Sequence, residues 1–362
     1  MIKNRTLISA AMLLSVSSAS QASIVYSLID LGAMDNSINI SETSDINNNG
    51  VLAGYSYSNY VQTPFYYSES TGIQAYSGFE GAVTTINDSS LAAGMGYDAF
   101  VADTSGNVTV LNPLNGGFVQ DITDISNSGT VVGASTDASY NLRATSWNAA
   151  TGEATDLGSL DDVIGDPYAS SRANGINENG QIVGSSSKGF DQAAVVWENG
   201  TMTELASLAG ENASSASAIN DAGTIVGTSG TAAVLWDNGS LLTIDDSGFS
   251  TANDINNNGY VVGEVLGMFG YLWSEDLGLS LIDDLLIGAD GWSISQVFAI
   301  NDDNWIAANA TYSANGEYYS HGVLLKPQAT TVSAPATFGI LCLGMLAMFR
   351  KRLTPSNFKL EA

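Results

Sequence analysis

One arrangement of apolar and polar positions recurs seven times along the chain: an apolar residue, a polar turn, then a run rich in Val, Ile, Leu and Ala. Its fullest copy is Asp254-Ile255-Asn256-Asn257-Asn258-Gly259-Tyr260-Val261-Val262-Gly263. The leading isoleucines stand at Ile46, Ile86, Ile125, Ile176, Ile219, Ile255 and Ile300, so successive spacings are 40, 39, 51, 43, 36 and 45 residues. A period near forty marks a repeat architecture. Asn and Asp bond their own backbone and tolerate positive φ, and Gly adopts it without steric cost, so each copy predicts a tight turn between two antiparallel strands. Pairs such as Val131-Val132, Ile182-Val183 and Val261-Val262 suit a pleated, buried surface. Gly54, Gly94, Gly133, Gly184, Gly227 and Gly263 share one register, which predicts close backbone approach where neighbouring sheets converge. The last copy carries Ala307-Ala308-Asn309 at that place and reads as a degenerate terminal repeat.

Two further strands complete each unit. The third is usually aromatic, as in Pro64-Phe65-Tyr66-Tyr67 or Ala193-Ala194-Val195-Val196-Trp197. The fourth resembles Thr155-Asp156-Leu157-Gly158, Thr203-Glu204-Leu205, Thr243-Ile244-Asp245 or Leu281-Ile282-Asp283, and Asn199-Gly200 and Asn238-Gly239 predict tight turns into it. Four strands in about forty residues is the size of a propeller blade. Ile24 to Gly32 supplies a fourth-type strand with no unit before it, and the seventh unit lacks one after Lys326. That offset predicts an all-β, seven-bladed β-propeller over residues 23–326, closed by its N-terminal strand, which removes exposed edges. A β-solenoid, the other repeat fold considered, has no need of the borrowed strand. Trp147, Trp197, Trp236 and Trp273 recur at one register and are expected in the inter-blade core.

The ends differ from the body. Residues 1–22 read as a secretory signal peptide: Lys3 and Arg5, then the apolar Leu7 to Val16, then Ser20-Gln21-Ala22, with processing expected between Ala22 and Ser23. Residues 327–336 read as a linker. Residues 337–362 read as a hydrophobic helix, shorter than a comfortable span, followed by Arg350, Lys351 and Arg352, which would hold the C-terminus in the cytoplasm.

Charge narrows the partners. The net charge is −27, and between Ser23 and Phe349 only Arg143, Arg172, Lys188 and Lys326 are cationic, against 36 carboxylates (37 less Glu361). Such a field repels nucleic acid and anionic lipid. Arg143, Arg172 and Lys188 fall near the longest interval, which contains Asp161-Asp162; pairing with carboxylates is expected there rather than an anion site. The single cysteine, Cys342, lies in the tail, so the body has no disulfide framework and no thiolate site.

Two sets of residues invite a catalytic or metal reading. Asp45-x-Asn47-x-Asn49-Gly50 and Asp254-x-Asn256-x-Asn258-Gly259 match the first half of a calcium loop, but the twelfth positions are Ser56 and Val265, and Gly175 and Ala218 replace the Asp in sister copies. Turn chemistry accounts for the motif, so no cofactor is predicted, with calcium as the alternative. The pairs Asp161-Asp162, Asp245-Asp246, Asp283-Asp284 and Asp302-Asp303 invite a glycosidase reading, yet adjacent strand residues face opposite ways and form no dyad. No catalytic residue is assigned.

The Ile-Asn-x-x-Gly-x-Val-Val-Gly hairpin, the Ala-Phe/Val-x-Trp-x-Asn-Gly element and the Asp-Leu-Gly strand resemble the HAF-type extracellular repeat of bacterial proteins over residues 24–326; Asp98-Ala99-Phe100 stands nearest the triplet of that name. The tail is similar to a PEP-CTERM sorting signal, with Ser333, Ala334 and Pro335 before the apolar helix and Arg350, Lys351 and Arg352 after it. The resemblance implies export, handling by sorting machinery, transient anchorage in the membrane and association with extracellular polysaccharide or biofilm matrix. The expected function is a non-catalytic surface or matrix protein that binds polysaccharide or envelope components through propeller loops. The alternatives are a carbohydrate-active enzyme using a carboxylate pair and a calcium-dependent adhesin.

Overall fold

The computed structural model describes residues 24–34, 39–58, 61–76, 80–163, 169–314 and 316–328. The processing site at Ala22 and Ser23, the sorting residues Ser333, Ala334, Pro335, Arg350, Lys351 and Arg352, and the apolar tail lie outside the described residues. Val25 to Gln328 forms one compact unit of seven sheets, six of them antiparallel with four strands in sequence order from the first, innermost strand outward. Blade one uses strands Ser41–Ile46, Leu52–Ser58, Val61–Ser68 and Gly72–Ala75. Blades two to six repeat that plan over residues 81–110, 119–156, 171–204, 214–245 and 251–281.

Blade seven closes the circle. Strands Trp292–Ile300, Ile306–Ala314 and Glu317–Gln328 supply three of its members, and the N-terminal strand Val25–Asp30 supplies the fourth. The register places Ile29 opposite Leu324 and Val25 opposite Gln328, so pairing continues two residues into the segment read as linker. The stretch read as a closing strand through Asp283 departs from expectation. Strand Gly278–Leu281 ends in a single helical turn, Ile282–Leu285, and Leu286–Ile287 then adds to Val25–Asp30 in parallel as a fifth member. Burial of Ile282 beneath Gly270 accounts for the turn, because the chain must fold back to bury that side chain.

No blade owns its core. Ala93 and Val101 of blade two pack with Ile122, Val131 and Trp147 of blade three. Val183 and Ala194 of blade four pack with Ile219, Ile225 and Trp236 of blade five, and Ala299 and Leu324 of blade seven pack with Ile46, Leu52 and Phe65 of blade one. Trp147, Trp197, Trp236 and Trp273 are all buried, as the register predicts. Full burial of such side chains stabilises by about 1.5–3 kcal/mol each, and here every contribution requires a neighbour.

The innermost strand of every blade carries a bulge. The unpaired residue at the shared position is Ser44, Thr84, Thr123, Asn174, Ser217, Asn253 or Phe298, and blades three and seven have a second, at Gln120 and Ser295. Ser44, Thr84 and Thr123 use the freed side chain to donate to the next blade's Val83, Ile122 and Ala173 carbonyls, at 2.6, 2.9 and 3.1 Å. The register glycines sit opposite these bulges. A Cβ on Gly54 would strike the Glu42 carbonyl, and one on Gly184 that of Arg172. The close approach is therefore to the innermost strand of the same blade, not to the neighbouring sheet, because a bulge pushes a carbonyl across the ladder.

Candidate functional site

Strand direction divides the disc into two faces. The turn from first to second strand, which holds the repeated motif, lies on one face with the turn from third to fourth; the second-to-third hairpins and the connectors between blades lie on the other. We call these the ring face and the tip face.

On the ring face the motif asparagine serves two turns at once. Asn47 Oδ1 accepts from Asn49 N–H and Val51 N–H at 3.0 and 2.9 Å, and its Nδ2 donates to the Asn87 carbonyl of the next blade at 2.8 Å. Asn87 donates likewise to Ser126, Asn177 to Asn220, Asn220 to Asn256, Asn256 to Asn301, and Asn301 back to Asn47. Only an amide offers an acceptor and a donor in this geometry, which explains Asn over Asp. Blade three has Ser126 instead, whose hydroxyl accepts from Thr130 N–H at 3.2 Å and is paired with Ser128.

The following residue forms a second circle without a gap. Asn48 N–H donates to Asp88 Oδ1, Asp88 to Asn127, Asn127 to Glu178, Glu178 to Asp221, Asp221 to Asn257, Asn257 to Asp302 and Asp302 to Asn48, all at 2.8–2.9 Å. Glu178 is the one longer acid in this circle, and it receives the bond that crosses the junction where Ser126 makes none. Where glycine is missing from the turn, Ser90 and Asn304 take its positive φ, at 59° each.

These circles line a polar cavity of about 270 Å³ at the channel mouth. Asp45, Asp124 and Asp254 project into it, and each bridges two blades. Asp45 Oδ2 accepts from Ile86 N–H at 2.8 Å and Thr85 Oγ1 at 3.0 Å; Asp124 and Asp254 accept from Ile176 and Ile300 N–H at 2.8 Å. Desolvation by the channel walls, and then the Asp124 charge, push the Asp45 carboxyl up to about 8. Desolvation alone is the leading cause at Asp124 and Asp254, which are pushed up to about 6. The half-matching calcium loops are thus opened out: Asp45 and Asp254 face the channel and bond backbone amides, while Asn47 and Asn256 turn back into their own hairpins. Among the described residues no three His, Cys, Asp or Glu side chains converge to hold a metal ion.

The four body cations are all paired. Arg143 donates to Asp156 at 3.1 Å and to Asp162 at 2.8 Å, Arg172 meets Asp121 at 3.1 Å, Lys188 meets Glu204 at 2.9 Å, and Lys326 meets Glu69 at 2.7 Å while lying over the Trp305 ring. At least one member of each acidic pair is likewise occupied. Asp161 accepts from Gly189 N–H, Asp162 from Arg143, Asp245 from Ser247, Asp283 from Ile294 N–H, and Asp302 from Asn257.

The tip face is different in kind. Tyr97, Tyr140, Phe190 and Tyr318 stand exposed at the second-to-third hairpins of blades two, three, four and seven, and Met268 stands at that of blade six. Phe118 and Phe249 are exposed on connectors of the same face. Among the described residues the other exposed large apolar side chains lie at these tips and connectors or on outermost strands, and none lies in a ring-face turn. These residues belong to no repeated motif. The signal that finds them is the aromatic between the second and third strands, as in Gly96-Tyr97-Asp98 and Gly189-Phe190-Asp191.

Comparison with known proteins yields folds. No protein-family model matches the chain, and no curated protein matches it. An oligogalacturonate lyase from Vibrio parahaemolyticus superposes with a TM-score of 0.50 at 10% identity, covering 85% of this chain and 98% of that one. YCF48 from Cyanidioschyzon merolae gives 0.47 at 13% identity, covering 83% and 98%. TolB from Acinetobacter baumannii gives 0.46 at 11% identity, and that match spans 64% of this chain and only 63% of TolB. At such identities the likeness concerns architecture alone. No helix among the described residues is long and apolar enough to cross a membrane.

Proposed function

We propose that this chain is an exported, non-catalytic binding module whose tip face engages neutral extracellular polysaccharide. One observation carries the reading: exposed aromatic and apolar side chains gather at the hairpin tips, while the ring turns have none. Exposed apolar groups collected on one face mark an interaction surface. Tyr and Phe present broad, rigid rings whose negative faces suit the C–H face of a sugar. A net charge of −27 argues against polyanionic partners. The apolar segment before Ala22, and the tail with Ser333-Ala334-Pro335 and Arg350-Lys351-Arg352, support export followed by sorting or transient anchorage in the membrane. Engagement of every acidic pair in structural bonds supports binding over hydrolysis.

The test uses the purified chain on immobilised polysaccharide from the producing cells, with and without calcium, measuring both retention and sugar release. Retention that is independent of calcium, lacks sugar release and disappears in a Tyr97→Ser/Tyr140→Ser/Phe190→Ser/Tyr318→Ser variant is expected. Sugar release abolished by one Asp→Asn change would establish the enzyme reading instead, and retention lost on chelation would establish the adhesin.

A further inference from the structure

The longest interval between repeats has a structural purpose on the tip face. The connector before blade four contains a turn of 3-10 helix, Leu160–Val163, whose two acids point in different directions. Asp162 accepts from Arg143 and from Ser159 N–H, which fixes the turn to blade three. Asp161, only 3% exposed, accepts from Gly189 N–H at 3.0 Å through Oδ1 and 3.1 Å through Oδ2. Gly189 has a φ of +64° and precedes Phe190, so a buried carboxylate holds the backbone of that tip. Lys188 is tied to Glu204 on the neighbouring outer strand. The result is a braced hairpin whose aromatic ring is wholly exposed, at 111% of its reference area. Phe118 and Tyr140, by contrast, lean on one another with centroids 6.4 Å apart.

Beside Phe190 lies a groove of about 680 Å³, walled by Arg172, Ser187, Gln192 and Asn212. The bond from Gln192 N–H to the Asn212 carbonyl, at 3.1 Å, fixes that wall. Gln192 Nε2 donates to Ser185 Oγ at 2.8 Å, so Oε1 is the amide's acceptor on this wall, and Ser187 Oγ accepts from Ser170 N–H, which leaves its proton to donate. The groove therefore offers donors and acceptors next to one flat apolar surface. A pyranose has the complementary layout, with hydroxyls at its rim and C–H bonds on its face. Arg172 is paired with Asp121 at 3.1 Å, and the net charge of −27 disfavours a uronate or sulfate.

We propose that this groove is a subsite for one neutral pyranose unit, with Phe190 as platform and Gln192, Asn212, Ser187 and Arg172 as hydroxyl partners. The proposal rests on the tip-face reading above. Cellohexaose, maltohexaose and mannohexaose, with hexagalacturonate as the charged control, would be titrated into the full chain by calorimetry. Binding of at least one neutral hexaose and none of hexagalacturonate is expected. Phe190→Ser and Gln192→Ala should each weaken it about tenfold at unchanged Tm, and Tyr97→Ser/Tyr140→Ser/Tyr318→Ser should change it less than about twofold. Neutral binding that survives both single changes, or is lost only in the triple variant, overturns the subsite and leaves the tip-face reading standing. Preference for hexagalacturonate overturns the neutral class, and absence of binding to every neutral hexaose overturns the subsite, while the tip-face reading stands or falls on the retention test.

Discussion

The two faces of the disc use the same polypeptide in opposite ways. On the ring face the turn N–H that follows the motif asparagine or serine donates in every blade to a side chain of the next, and these seven bonds run in one direction round the circle. On the tip face Tyr97, Phe190 and Tyr318 project from their hairpins into solvent. The difference teaches that repetition here serves closure, whereas the irregular tips are where selection for a ligand can act without loosening the circle.

The harshest way to break this contrast is at the seam. Ile29→Pro removes a ladder donor opposite Leu324 and strains the closing strand; the orphaned carbonyl and the strain each cost about 1–3 kcal/mol. A fall in Tm of at least about 6 °C by calorimetry is expected. Next comes Asn256→Leu, which strips Asn258 and Tyr260 N–H of their acceptor and removes the bond that ties blade six to the Asn301 carbonyl of blade seven. Loss of these buried and half-buried bonds should cost about 1–3 kcal/mol in total, so Tm should drop by a few degrees.

The channel acids give a pH test. Their folded pKa values are raised above the ordinary Asp value of 3.8, to about 8 for Asp45 and about 6 for Asp124 and Asp254, so the folded chain binds protons more tightly than the unfolded chain in that window. The stabilisation is complete below pH ~4 and is lost as pH rises through these folded values. Thermal melts should therefore weaken from pH 4 to 8. Asp45→Asn keeps the acceptor for Ile86 N–H without the charge, and its profile should be flatter, with the gain over the unaltered chain appearing at pH 8 and vanishing at pH 4.

Ser126→Asn sharpens the contrast from the other side. It would supply the missing amide at the blade three to four junction, and one added hydrogen bond should raise Tm by about 2 °C. The smallest effect is expected on the tip face: Tyr97→Ser and Tyr318→Ser should shift stability by no more than about 0.5 kcal/mol, because their rings make little of the core.

Blade number, strand order and the borrowed N-terminal strand were legible because they leave a period and an offset in the chain. The presence of the Ile29 strand in the sheet that contains Leu324 follows from that offset, and the structure supplies their register. The task of the register glycines was misplaced, since Gly54 and its equivalents answer to a bulge in their own blade. A bulge alters the count of paired residues without altering composition, so periodicity does not reveal it. Asn47 could be read as a turn former from its neighbours. Its second bond, to a residue forty positions on, depends on how two sheets meet, and local propensity carries no record of that. The tip aromatics were illegible for a third reason: they are single residues in loops of differing length, and only the assembled disc puts them on one side.

The pairing of Val25 with Gln328 has a geometric corollary. The two ends of the described propeller, Val25 and Gln328, lie side by side on the ring face of blade seven, so neither the first strand nor the last can fray without releasing the other.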